Sequence, residues 1–110
     1  MTLREKLEPI GKAYAAAGIR AYHYWRPVPK NKAPYLIWAE DGGVGHYADN
    51  QMTEQAVTGT TDYYTREEFD PALDIIQEIH NTLGLAWALN SVQYEDDTGL
   101  IHYEWTWGVR

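Results

Sequence analysis

One stretch, Asp70 to Gly84, constrains the fold more than any other part of the chain. Asp70 offers a capping oxygen, and Pro71 suits the first helical position, where a missing N–H costs nothing. Ala72, Ile75, Ile76, Ile79 and Leu83 then follow the i, i+3, i+4, i+7 rhythm of an amphipathic helix, with Asp74 and Glu78 toward water. Gly84 is the natural stop. On both sides the apolar residues change to a two-residue rhythm. A sharply bounded helix between strand-like segments points to helices laid on a sheet.

The remaining elements fit that frame. Thr2 and Glu5 have capping-box spacing, and Leu3, Leu7, Ile10 and Tyr14 form one apolar stripe. They predict a first helix that ends at Gly18, with a kink expected near Pro9. Ile19 to Trp25 reads as a strand, with Ile19, Ala21, His23 and Trp25 on one face and Tyr22 and Tyr24 on the other. Arg26 to Pro34 holds three prolines and two lysines and reads as a loop. Tyr35 to Ala39 is apolar on both faces and reads as a central strand. Asp41 to Gly45 is expected to turn, and His46 to Asn50 to follow as a short polar segment. Val57 to Thr65, Leu85 to Tyr94 and Leu100 to Trp107 read as three more strands. The last two are joined by an Asp96-Asp97-Thr98-Gly99 hairpin turn. Apolar parity changes between Leu89 and Val92, which predicts a bulge near Asn90-Ser91.

The expected fold is therefore α+β: a mostly antiparallel four- to five-stranded sheet packed by two helices, in the order α-β-β-β-α-β-β. A chain of 110 residues fits one such domain, 1–110. With no cysteine, neither a disulfide framework nor a Cys-based zinc site is available. No apolar stretch is long enough to span a bilayer as a helix, and no secretory leader is read at the N-terminus.

Charge is unevenly spread. Residues 1–32 carry seven basic and two acidic side chains, whereas 33–110 carry two basic and fourteen acidic ones. The net charge of −7 argues against a nucleic-acid binder that works by bulk electrostatics. Opposite-signed surfaces on one small domain favour head-to-tail contacts, which close into rings or run on as filaments. The alternative is that the asymmetry serves solubility alone.

Candidate chemistry is sparse. His46 and Asp49 are three apart in an expected loop, and His102 and Glu104 share a strand face, where they read as a polar pair. Neither pair has the three or four converging ligands of a metal site. Ser91 is the single serine and has no nucleophile-elbow context. Glu67-Glu68 and Asp96-Asp97 fall where helix starts and turns call for acids. Gly42-Gly43-Val44-Gly45 lacks the Lys-Ser/Thr of a phosphate loop. The expectation is no catalytic residue, no cofactor and no resident metal.

Aromatic residues divide into two groups. Trp38, Trp87 and Trp105 are expected in the core. Tyr22, Tyr24, Tyr63, Tyr64 and Trp107 are candidates for an exposed surface that stacks sugars, holds a peptide or meets another protein.

Several segments, taken in order, resemble the small tail terminator, or head–tail joining, proteins of siphophages and prophages. They are Pro34-Tyr35-Leu36-Ile37-Trp38, Ala48-Asp49-Asn50, Tyr63-Tyr64-Thr65, Asp70-Pro71 opening a helix, and the run from Asn90 to Trp105. The resemblance covers the chain from about Pro34 onward. It implies a virion structural protein, made in the bacterial host cytoplasm, that forms a hexameric ring at the tail–head junction. Such a ring caps the tail tube, ends its polymerisation and meets the head–tail connector protein. The implied partners are therefore further copies of the chain, the tail tube protein and the connector, with no membrane and no nucleic-acid sequence recognition. No catalytic residue is implied. The interface candidates are Arg26, Lys30 and Lys32 in the loop, Glu40, Asp41, His46 and Asp49 after the second strand, the aromatic Tyr63, Tyr64 and Trp107, and Asp96 and Asp97 at the last turn. The competing reading is a stand-alone aromatic-rich module for a carbohydrate or peptide.

Overall fold

The structure, a computed structural model, describes residues 1–27, 29, 32–48 and 51–110, and the side chains of all of these except 44–48 and 51–55. Its elements are α1 (Leu3–Ala16), β1 (Ala21–His23), β2 (Tyr35–Ala48), β3 (Gln51–Thr65), α2 (Ala72–Thr82), β4 (Ala86–Glu95) and β5 (Leu100–Val109). The strands form one sheet in the order β1-β2-β3-β5-β4. β1 is parallel to β2, and every other neighbouring pair is antiparallel. Among the described residues the fold is α+β, with two helices and a mostly antiparallel five-stranded sheet, in the order expected from the sequence.

Local chemistry explains the elements. In α1 the Thr2 hydroxyl accepts from the Glu5 N–H at 3.1 Å, and the Glu5 carboxylate accepts from the Thr2 N–H at 3.0 Å. Two of the helix's orphan donors are thereby satisfied. The helix continues through Pro9 and buries Leu7, Ile10 and Tyr14. Gly18, at φ +80°, turns the chain out of the helix. Just ahead of α2, Asp70 supports the first turn through its Oδ1, which accepts from the Ala72 N–H at 2.9 Å. Its Oδ2 accepts from the Tyr63 and Thr65 hydroxyls, both at 2.8 Å. Burial disfavours the Asp70 charge, but the Ala72 N–H and the Thr65 and Tyr63 hydroxyls outweigh it and hold the carboxyl below its ordinary range. Pro71 stands one position earlier than expected, as the half-in flanking residue.

One face of the sheet carries the core. Leu36, Trp38, Val57, Tyr63, Trp105 and Trp107 pack there with Leu7, Ile10 and Tyr14 of α1 and with Ile76 of α2. Close approach depends on Gly59, where a Cβ would stand 2.4 Å from the Trp107 ring and 2.5 Å from the Ala39 carbonyl. Trp38 and Trp105 are core residues as expected, and Trp87 is half-buried against the core. Ile75, assigned from sequence to the apolar stripe of the second helix, is exposed instead.

The largest departure lies between Glu40 and Thr58. The expected turn at Asp41 to Gly45 does not form. β2 runs on to Ala48, and β3 begins at Gln51. The glycines sit within the strand, next to a register shift between Glu40 and Gly42. Glycine inside a strand marks a bulge as readily as a turn, and here the bulge wins. Asp41 is tied across it by the Thr58 hydroxyl at 2.9 Å. The first strand is also shorter than expected. Tyr24 leaves it at φ +76° while its N–H still donates to the Trp38 carbonyl at 2.9 Å.

Candidate functional site

The long β2–β3 hairpin sets the shape of the molecule. β5 pairs with β3 only from Val57 to Thr65, and β1 pairs with β2 only from Leu36 to Trp38. From Val44 to Ala48 and Gln51 to Ala56 the two strands pair with each other, and among the described residues with nothing else. The result is a two-stranded arm about 15–20 Å long. It lengthens the protein to 53 × 26 × 24 Å with a radius of gyration of 15.2 Å. A compact domain of this length has a radius near 13 Å. An isolated two-stranded ribbon is marginal in water, and this one is continuous at its base with the five-stranded sheet.

The opposite sheet edge is open. β4 has β5 on one side, and among the described residues no strand on the other. The predicted bulge is present, as a register shift between Leu89 and Ser91. It lets Leu89, Val92 and Tyr94 stand opposite Trp105, Tyr103 and Ile101, on the helix-covered side of the sheet. There they remain 46%, 51% and 65% exposed. A ten-residue edge strand with unpaired backbone and three exposed apolar side chains is a template for association. Sequence reading placed these residues on a strand but not on a surface. The parity change was the available signal.

A groove of about 500 Å³ opens between the first half of α1 and the β1–β2 edge. Trp38, Leu3 and Leu7 supply its apolar wall, and His23 and Glu40 its polar one. The His23 ring stacks on Trp38 and on Tyr24, with centroids 3.9 Å apart in both pairs. His23 Nε2 lies 2.7 Å from Glu40 Oε1, and the Tyr24 hydroxyl donates to Glu40 Oε2. Burial works against the Glu40 charge, but Tyr24 and His23 outweigh it and keep the carboxyl below its usual range. On the outer side of α1, Glu8 pairs with Arg4 and Lys12, each at 2.6 Å. The hydrogen bonds from Lys12 and Arg4 push its pKa down to about 2.

The sequence-derived interface candidates separate into several places. Glu40 faces the groove and is engaged by His23 and Tyr24, and Asp41 is exposed at the root of the arm. His46 lies in the arm opposite Glu54, with its side chain outside the described part. Lys30 and Asp49 lie outside the described residues. Lys32 is exposed, and its carbonyl accepts from Arg20, which also holds the Pro34 carbonyl at 3.0 Å. Arg26 sits over the Tyr35 ring, 5.6 Å from its centroid, on the face away from the helices. Tyr64 is half-buried between Tyr35 and His102, at 4.8 and 4.3 Å. Burial, with the nearby Asp62 charge, raises its pKa to about 12. Asp96 and Asp97 are exposed at the far end of the molecule from the arm.

Two candidates need correction. Tyr63 and Trp107 were expected on a surface the helices leave uncovered, yet each is 3% exposed. Both point to the helix side, where Tyr63 bonds Asp70 and Trp107 bonds Thr61. Coverage by the helices is a tertiary property that strand alternation alone does not report, and the adjacent Tyr63 and Tyr64 face opposite sides of the sheet. Of the surface aromatics expected from the sequence Tyr24 is exposed, and Trp25, Phe69 and Tyr94, which were not among those expected, are exposed as well.

No described helix is long and apolar enough to cross a membrane. Comparison with protein-family models and with curated proteins finds no match to this chain.

Proposed function

We propose that this chain is a virion structural protein of the tail-terminator kind, working through protein–protein contacts. In this reading it forms a ring at the tail–head junction, caps the tail tube and presents a surface to the head–tail connector protein. The observation that carries the reading is the paired arrangement of a projecting arm and an open β4 edge at different places on one small domain. A protrusion and a receptive edge that are not the same patch give heterologous contacts, and heterologous contacts with the right rotation close a ring. The charge distribution supports the same geometry, because the basic N-terminal third and the acidic remainder steer unlike surfaces together. The resemblance of the Pro34-to-Trp105 segments to tail terminators supplies the biological setting.

The direct test is polymerisation of the cognate tail tube protein with and without this chain, followed by electron microscopy. The expected outcome is shorter tubes with one end capped by extra density. Tubes of unchanged length with bare ends would contradict the proposal.

A second reading, a module that binds a carbohydrate or peptide, is favoured by the Trp38-walled groove beside α1. Titration of tryptophan fluorescence with glycans and peptides separates the two, since only a groove binder gives a saturable change without the tube protein.

A further inference from the structure

The sheet face away from the helices carries a second polar cluster, apart from the arm and from the groove beside α1. Alternation along β3 and β5 puts Thr61, Tyr63 and Trp105 on the helix side and Asp62, Tyr64, His102 and Glu104 on the other. Asp62 and Glu104 are direct cross-strand partners. Two like charges in that position repel, so a bare carboxylate pair is an unfavourable choice for adjacent strands. His102 stands one diagonal step away, its Nε2 2.7 Å from Asp62 Oδ1. One donor atom from each of Asp62, His102 and Glu104 falls within a 4.8 Å span.

The surroundings orient these three groups. The His102 ring stacks on Tyr64 at 4.3 Å, and Tyr64 stacks on Tyr35 at 4.8 Å, which fixes the imidazole plane. On the other side, the β4 bulge delivers Asn90, whose Nδ2–H donates to Glu104 Oε1 at 2.6 Å. Bulges commonly re-aim a side chain in this way, and hydrogen-bonded partners commonly orient metal ligands. Asp62 and His102 are about four-fifths buried, which strengthens any charge attraction at the cluster relative to open water.

We propose that Asp62, His102 and Glu104 bind one divalent first-row cation of the Zn²⁺ or Mn²⁺ kind. The ion takes the place of the proton between His102 Nε2 and Asp62, a proton released to solvent, and draws in the second carboxylate oxygen of Glu104. Metal–donor bonds of about 2.0–2.2 Å hold donor atoms roughly 3–4 Å apart, so small side-chain rotations close the set. One imidazole nitrogen with two carboxylates suits these ions better than Mg²⁺ or Ca²⁺, which take oxygen alone, and the chain has no thiolate for a softer metal. Three protein ligands on a solvent-facing sheet leave coordination positions for water or for an outside carboxylate. The site is independent of the ring reading and stands or falls without it.

The test is calorimetric titration of the whole protein near pH 7.5 with Zn²⁺, Mn²⁺ and Mg²⁺, with thermal unfolding in parallel. The expected result is one Zn²⁺ or Mn²⁺ per chain, bound at least tenfold more tightly than Mg²⁺ and raising Tm. Asp62→Asn and Glu104→Gln are near-isosteric and keep the strand pairing, so far-UV circular dichroism checks that each still folds. Each should weaken binding at least tenfold. Without metal, Glu104→Gln should unfold at the same or a higher temperature than the parent, because it removes the carboxylate repulsion. Binding absent below millimolar ion, or equal in the parent and both variants, would overturn the proposal. So would loss of binding on His23→Gln with the Asp62 and Glu104 variants unaffected.

Discussion

At the scale of single residues, the core is organised around one buried polar chain. Trp107 Nε1–H can only donate, and it donates to the Thr61 hydroxyl at 3.0 Å. The Thr61 hydroxyl is then free to donate to the Tyr14 oxygen at 2.8 Å, and the Tyr14 O–H to donate to His80 Nε2 at 2.6 Å. In this direction His80 is a neutral acceptor at Nε2. Its side chain is fully buried, and its Nδ1 has no hydrogen-bond partner among the described residues. Burial lowers the His80 pKa from 6.5 to about 4 and holds Tyr14 above its ordinary value. The sign of the pH effect follows. Between those two values the unfolded chain takes up a proton that the folded chain refuses. The His80 contribution is therefore fully present above about pH 6.5 and is lost as pH falls toward 4. Over that window the loss is about 3 kcal/mol. Denaturant midpoints between pH 7.5 and 4.5 should fall for the parent protein and fall much less for His80→Gln, which keeps an acceptor but does not titrate. Parallel slopes for the two proteins would show that His80 does not carry the dependence.

At the scale of elements, the arm is the part most at odds with its surroundings. Every other strand is anchored on the core-bearing sheet, whereas Val44–Ala48 and Gln51–Ala56 have only each other among the described residues. Replacing 44–55 by an Asn-Gly turn should therefore leave the domain's Tm within a few degrees of the parent, since surface changes away from the core typically cost under about 0.5 kcal/mol. The same deletion should abolish assembly. A large drop in Tm would mean that the arm supports its own domain, and unimpaired assembly would remove it from the interface. The arm was also the element least legible in the sequence. Gly42, Gly43 and Gly45 carry the same letters for a turn as for a bulged strand, and only pairing with β3 decides between them. Elements with two agreeing signals were read correctly. Asp70 with Gly84 bracketed α2, the capping box opened α1, and the parity change located the Leu89/Ser91 bulge.

At the scale of the whole molecule, function depends on relations that sequence order conceals. Asp62 meets His102 and Glu104 across β3 and β5, so the sequence offered two members of that cluster and gave no pointer to the third. Tyr63 and Trp107 share strands with residues that face outward, and only the positions of α1 and α2 decide that they are core. Charge, by contrast, was legible as a partition between the first third and the rest. If that partition steers assembly, reversing Lys30 and Lys32 to Glu should weaken self-association or tube binding at low salt while leaving the circular dichroism spectrum unchanged, and high salt should narrow the difference from the parent. Association equal to the parent's at both salt concentrations would remove the electrostatic role.

The proposed function requires assembly, and the mass of the assembled species reports assembly without an intermediary. Mass photometry of the intact chain, alone and with the tail tube protein, should show a discrete hexamer at least in the presence of the tube, and the arm-deleted chain should stay monomeric in both. A parent protein that remains monomeric under every condition, or that binds a glycan or peptide without assembling, would contradict it.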